Sequence, residues 1–161
     1  MVTMTHENNN IGPKIALYEP DIPQNTASII RTCFCLGATL EIIEPCGFLF
    51  SDKRFKRVVM DYMDNKIIKT YKSFNEFIKN KKQSRVILMT TKAKKNFFDF
   101  PFHKNDTLLF GRESAGVPIY LHNKLKYKLK IPMISNKRSL NLSTSVAITL
   151  AENLRQTNYL K

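Results

Sequence analysis

Two short stretches concentrate the residue types that could hold or act on a ligand. In FGRESAGVP (Phe110 to Pro118) two glycines enclose an arginine and a carboxylate directly after an apolar run. In IPMISNKRSLNLSTSVAI (Ile131 to Ile148) an apolar strand passes through a polar loop into a helix, and Ser139, Asn141, Ser143, Thr144 and Ser145 crowd the helix start. Short polar side chains there can cap the unpaired N–H groups of the first turn, or leave those groups to a bound molecule. Either stretch alone reads as an ordinary turn. Two of them, each at the end of a strand, describe a site, and Asn25 with Arg31 on an upstream helix supplies a third component.

Several familiar chemistries are excluded by spacing. The five glycines are Gly12, Gly37, Gly47, Gly111 and Gly116, so no GxGxxG and no GxxxxGK[ST] is available to bring a backbone against a dinucleotide or a nucleoside triphosphate. GRESAG lacks the GxSxG spacing of a nucleophile elbow, and no histidine is placed to serve Ser114, which rejects a serine hydrolase. The cysteines Cys33, Cys35 and Cys46 are odd in number and lie in apolar surroundings, which suits reduced core thiols. With His6, His103 and His122 they form none of the short spacings of a zinc site, so no metal is expected.

The elements that must position these residues follow from apolar patterning. Residues 1–13 read as a flexible tail and residues 14–161 as a single domain, a size for which 43% hydrophobic residues provide a core. KIALYEP (Lys14 to Pro20) predicts a buried strand. Pro23 opens a helix over Gln24 to Leu36, in which Ala27, Ile30 and Phe34 recur at helical spacing and which Gly37 ends. Thr39 to Pro45 predicts a second strand, Asp52 to Met63 a basic amphipathic helix, Lys66 to Thr70 a short strand, and Ser73 to Lys82 a helix with Glu76 completing a capping box. Arg85 to Thr91 and Asp106 to Gly111 read as central strands by their continuous apolar runs, and Leu129 to Met133 as a third. Between them, Phe97, Phe98, Phe100 and Phe102 sit among lysines, where packing against the core is favoured over stacking on bases. Alternation of strands and helices predicts an α/β fold with a largely parallel sheet flanked by helices, and ligand loops at the strand carboxyl ends.

Charge separates the halves of the chain. The net charge is +13, yet residues 1–80 hold 10 Lys and Arg against 9 Asp and Glu, while residues 81–161 hold 16 against 4. Clusters at Lys92, Lys94, Lys95 and at Lys124, Lys126, Lys128, Lys130 point to a polyanionic partner through counterion release, although lysine does not choose RNA over DNA. No run of eighteen apolar residues is present and MVTMTHENNN is polar, so the expectation is a cytoplasmic protein with no membrane partner.

The chain resembles the SPOUT class of RNA methyltransferases, and within it the compact TrmL-type members that 2'-O-methylate the wobble nucleotide of tRNA, cytidine or modified uridine. The resemblance rests on LYEPDIPQNTASIIR, IIEPCGF, DYMD, TTK, LLFGRESAGVP and IPMISNKRSLNLSTSVAI, in order from Lys14 to Gln156. It implies a SPOUT fold with a C-terminal trefoil knot, a homodimer with active sites near the subunit interface, tRNA and not DNA as partner, and S-adenosylmethionine as cofactor. By residue match it implies that Met89, Gly111, Ile131 and Ser139 contact the cofactor. Asn25, Arg31, Glu113, Asn141 and Ser143 would shape the catalytic and RNA-facing side. Arg31 is the family's usual candidate for the hydroxyl proton, but a guanidinium stays protonated, so binding a phosphate or orienting the hydroxyl is the safer role. Glu113 could anchor its loop through backbone hydrogen bonds, and Ser143 could cap its helix. Arg112 stands where close relatives carry proline, and Ala151 where many carry an aromatic residue. Two alternatives stay open: the same reaction at another tRNA or rRNA position, or a non-catalytic knotted RNA-binding protein.

Overall fold

The computed structural model describes residues 12–59, 62, 67–135 and 138–160, with the side chains of Arg54 and Val58 left aside. The six strands are β1 (Lys14–Tyr18), β2 (Thr39–Ile43), β3 (Ile68–Tyr71), β4 (Val86–Met89), β5 (Thr107–Phe110) and β6 (Tyr127–Leu129). They form one sheet in the order β3-β2-β1-β5-β4-β6, and every pairing is parallel. The helices are α1 (Pro23–Leu36), α2 (Lys53–Val59), α3 (Phe74–Lys79), α4 (Ile119–Lys124) and α5 (Leu142–Thr157), with a 3₁₀ turn at Phe97–Asp99.

Burial on both faces explains the apolar strands, because a parallel sheet has helices on each side. Ile15, Leu17, Leu40, Ile42, Ile87, Met89, Leu108 and Phe110 face one core with residues of α1, α2 and α5. Ala16, Tyr18, Ile43, Val86, Leu88 and Leu109 face a second core with Phe74 and Phe77 of α3 and Leu121 of α4. Alternate residues thus serve opposite layers, the period of two that a strand imposes.

The expected elements are all present with trimmed ends, and the departures have physical reasons. Ser73 caps α3 by accepting from Glu76 N at 3.2 Å, and the Glu76 carboxylate accepts from Lys72 N at 2.7 Å. The last strand lies at Tyr127–Leu129, upstream of the expected Leu129 to Met133, because Pro132 has no N–H to give a ladder. It is an edge strand, not a central one. Helix α4 was not legible in the sequence, being six residues long with a single buried side chain, Leu121. Gly12 and Pro13, assigned to the tail, are buried, and Pro13 O accepts from Thr39 N at 3.1 Å. Residues 1–11, the end of the expected helix at 60, 61 and 63, and Lys66 lie outside the described residues. Of the cysteines, Cys33 is buried and Cys46 half-buried as expected, but Cys35 is exposed on α1, so it is not a core thiol. Among the described residues, no helix is long and apolar enough to cross a membrane.

One polar cluster interrupts the second core. Glu41, in the middle of β2, is 1% exposed and forms an ion pair with buried Lys81 while accepting from Tyr71 Oη at 3.1 Å. Burial pushes the Lys81 pKa below its ordinary value, with the Glu41 charge opposing that shift. Removing one partner leaves an uncompensated buried charge, which is the costly case. Lys81→Ala is therefore expected to lose about 3 to 5 kcal/mol in urea unfolding, whereas Glu41→Gln combined with Lys81→Met recovers most of it. A single variant as stable as the wild type would show that water reaches the pair.

Candidate active site

The order of the sheet creates the site. From β1 the chain turns toward β2, and from β5 it passes β4 to reach β6, so the segments leaving these two adjacent strands diverge at their carboxyl ends. Such a switch point is where open α/β sheets bind ligands. Here the segment after β1 (residues 19–22), the segment after β5 (residues 111–118) and the first turn of α5 meet.

Glu113 joins them. Its carboxylate accepts from Asp21 N at 2.7 Å, Ile22 N at 3.3 Å and Asn25 Nδ2 at 3.1 Å. Those two amides precede α1, so a negative charge also meets the positive end of that helix. Asn25 passes the connection on: its Oδ1 accepts from Asn141 Nδ2 at 2.9 Å. Asn141 is the N-cap of α5, its Oδ1 accepting from Ser143 N at 2.9 Å, Ser143 Oγ at 2.7 Å and Thr144 N at 3.3 Å. One chain of hydrogen bonds therefore runs from the β5 loop through α1 to α5.

Arg112 and Asp21 form a second, reciprocal clasp. The Arg112 guanidinium reaches the Asp21 carboxylate from Nη2 at 2.5 Å and from Nε at 3.2 Å, and Glu19 from Nη1 at 3.3 Å. Asp21 also accepts from Ser114 N at 3.1 Å and from Ser114 Oγ at 2.5 Å. Arg112 N–H donates to Gly116 O at 3.1 Å, a bond that proline at this position could not make. Close approach requires glycine at one position and favours it at another. A Cβ on Gly111 would lie 2.5 Å from the Gly116 carbonyl carbon, and one on Gly47 would lie 3.0 Å from Asp21 Cα. Asp21 is a site residue that sequence reading missed; the signal was its place between Pro20 and Pro23, where strand must turn into helix.

Beside this framework lies a cleft of about 530 Å³. It is bounded by residues 88–92 at the end of β4 and beyond, 110–117 at the end of β5 and beyond, and 131, 133 and 138–142 leading into α5, with Ile22, Asn25, His122 and Ser145 completing the lining. Asn25, Met89, Gly111, Glu113, Ile131, Ser139 and Asn141 all line it. Two expected site residues do not. Ser143 belongs to the α5 cap, and Arg31 lines a separate cleft with Phe48, Phe55 and Tyr62, its guanidinium 5.4 Å from the Tyr62 ring centre. Apolar Leu88, Met89, Phe110, Ile131, Leu140 and Leu142 supply walls, while Thr90, Thr91, Ser139 and Asn141 add polar residues and Lys92, Arg112 and Arg138 add cations. That mixture suits a heterocycle joined to a polar, charged chain. Two of the thiols are disfavoured as nucleophiles: burial pushes Cys33 up to about 12, and burial followed by the nearby Glu44, Glu19 and Glu113 does the same for Cys46. Among the described residues, no group of three or more His, Cys, Asp or Glu side chains gathers to hold a metal.

With this geometry in view, the relatives are informative. The model of the SpoU rRNA Methylase family matches residues 13–151. A tRNA (cytidine(34)-2'-O)-methyltransferase of Beijerinckia indica subsp. indica is 44% identical over 144 residues, which are 88% of this chain and 90% of the relative. A solved structure concerned with 2-OH methylation of C/U34 on tRNA superposes with a TM-score of 0.84 at 35% identity, covering 89% of this chain and 95% of the other. The SpoU methyltransferase AviRb from Streptomyces viridochromogenes, solved in complex with the cofactor AdoMet, shares the fold at a TM-score of 0.80 and 23% identity, over 91% of this chain and 58% of that one.

The clasp has a measurable signature. Hydrogen bonds from Arg112, and then from Ser114, hold the Asp21 carboxyl at about 2, below its ordinary 3.8. A folded pKa below the unfolded one means that the stabilisation is fully present above the ordinary value and is lost as pH falls through about 2. Carboxyl NMR titration is expected to show Asp21 ionised down to that pH, and Arg112→Ala to move its midpoint back toward 3.8. An unmoved midpoint would mean that the guanidinium does not hold Asp21 in solution.

Proposed function

Because the chain belongs to the SpoU rRNA Methylase family, we propose that it is a tRNA 2'-O-methyltransferase that uses S-adenosylmethionine to modify the ribose of the wobble nucleotide, position 34, whether cytidine or modified uridine. The observation that carries this reading is identity of 44% along 88% of the chain with a tRNA (cytidine(34)-2'-O)-methyltransferase. The cleft fits the donor, having apolar walls for an adenine and polar loop residues for the remainder. Met89, Gly111, Ile131 and Ser139 are the residues that would hold it. When bound, S-adenosylmethionine supplies a methyl group already activated on sulfur, so the protein's task is alignment and removal of a poorly acidic hydroxyl proton.

The chain's own residues divide that task. Glu113 accepts three hydrogen bonds from Asp21, Ile22 and Asn25, which suits it to hold the loops and not to take the proton. Asn25 and Asn141 fix the first turns of α1 and α5 at the rim of the cleft. Ser143 supports Asn141 through its hydroxyl. Arg31, six residues beyond Asn25, lies about 9 Å further along α1. It orients the 2'-hydroxyl or an adjacent phosphate.

Since Arg31 does not line the cleft of its own chain, a homodimer that brings α1 to a second copy completes the site. Support comes from α1 and α5, which pack against each other and carry outward-facing Phe34 and Ile148 at 45% and 37% exposure. A trefoil knot is the threading we propose for the C-terminal segment. It accords with β6 at the sheet edge beyond β4 and α5 returning to pack on α1 and β5. Residues 14–161 act as one catalytic domain, in the cytoplasm.

Labelled S-adenosylmethionine and tRNA lacking wobble methylation, followed by nucleoside mapping, test the reading. Label is expected on the wobble ribose; label on another nucleotide would replace the specificity, and none on any RNA would overturn the activity. Arg31→Ala is expected to lower methyl transfer at least about 100-fold while leaving S-adenosylhomocysteine affinity within about twofold. Loss of that affinity would place Arg31 in the donor site instead.

A further inference from the structure

The segment after β4 leaves one aromatic ring out of the core. Phe97, Phe100 and Phe102 are buried as the sequence suggested, whereas Phe98 is 60% exposed. Its ring centre lies 4.2 Å from that of Phe97 at an interplanar angle of 37°, so a buried ring backs it. Single exposed apolar side chains are common on proteins. What distinguishes this one is the charge around it.

Lys92, Lys94 and Lys95 are exposed just upstream. Phe97 N donates to Lys130 O at 3.0 Å and Lys130 N donates to Lys95 O at 2.9 Å, which fastens this segment alongside the exit of β6. The Lys95 ammonium lies 5.4 Å from the Phe100 ring centre, and the Lys126 ammonium 5.1 Å from that of Tyr127, itself packed on Phe100. Acidic compensation is scarce. Of the four carboxylates in residues 81–161, Asp106 is bound by Arg85, Glu113 by the loop amides and Glu152 by Arg155, which leaves exposed Asp99 beside the patch. Lys128, by contrast, is structural: its ammonium donates to His122 O and Leu125 O at the end of α4. The alternating lysines of the sequence are therefore not one binding row. The patch also adjoins the proposed active site, since Lys92 and Ile131 both line the cleft.

We propose that this surface is a platform for single-stranded RNA, on which an unpaired base of the substrate stacks against Phe98 while Lys92, Lys94 and Lys95 neutralise neighbouring phosphates. An aromatic face accepts any base, and lysines supply attraction without sequence preference. The platform holds the loop containing the target nucleotide; selection of that nucleotide takes place in the cleft. This inference rests on the reading of the protein as a tRNA-modifying enzyme.

Equilibrium binding of unmodified tRNA to the full chain tests it, with S-adenosylhomocysteine affinity and sedimentation measured on the same samples. Phe98→Ala and Phe98→Leu are expected to weaken tRNA binding about tenfold, and Phe98→Tyr to restore it, with cofactor affinity and sedimentation unchanged. Replacing Lys94 and Lys95 by Gln lowers the slope of log affinity against log salt by about 0.7 for each phosphate that is no longer neutralised. Phe98→Leu binding tRNA as tightly as the wild type would overturn the proposal, because leucine keeps the apolar surface and removes the stacking face. An altered sedimentation coefficient in Phe98→Ala would also overturn it, by showing that the ring packs between two copies of the chain. Wild-type protein that binds no tRNA would overturn the functional reading itself.

Discussion

The Glu113 carboxylate is the point on which the site depends. Three donors converge on it, two of them backbone amides at the entrance to α1 and the third Asn25 inside that helix. Segments leaving β1 and β5 would otherwise separate, because the chain carries them to opposite sides of the sheet. A charged acceptor at a helix N-terminus binds more strongly than a neutral one, and here it joins segments more than ninety residues apart in sequence. Asn25 then relays that constraint to Asn141, so the first turn of α5 is fixed by the same set of bonds. The cleft stands between these restraints and the strand ends, and its shape follows from them.

Arg112 shows how a local departure can be absorbed. Proline would restrict the backbone at this position without a side-chain partner. Arginine achieves restraint by a different route: a backbone N–H to Gly116, a fork onto Asp21 and an ion pair with Glu19. Asp21 serves both loops, since its own N–H donates to Glu113 while its carboxylate accepts from Arg112 and Ser114. The two clasps are consequently coupled through one residue.

Charge is used in two ways. In the interior, Glu41 is paired with Lys81 at nearly full burial, and buried Asp106 is paired with half-buried Arg85, since a lone buried charge would be costly. At the surface, the lysines near Phe98 and the cleft have few carboxylates to answer them, and the resulting field favours a polyanion. The chemistry is similarly divided. Carboxylates, amides and the Arg112 guanidinium hold the loops to one another, while Lys92, Lys94 and Lys95 remain exposed, where phosphates can reach them.

The sequence by itself determined the parallel α/β architecture, since continuous apolar runs such as VILM and TLLF require burial on both faces. It also marked the loops after β5 and β6 as the ligand side, through glycine and short polar residues at strand ends. Local signals were enough there because capping, turn chemistry and hydrophobic period act over a few residues. Only the tertiary structure decided which of those residues meet. The only local mark of Asp21 is its place between Pro20 and Pro23, and its role depends on Arg112, which lies 91 positions away in the chain. Phe98 is indistinguishable in the sequence from Phe97 and Phe100, yet the turn of backbone between them buries two rings and exposes the third. Arg31 shares a helix with Asn25, but helical rotation and rise carry it to another cleft. Periodicity sets which side of an element is apolar; which polar groups face one another depends on how distant elements pack.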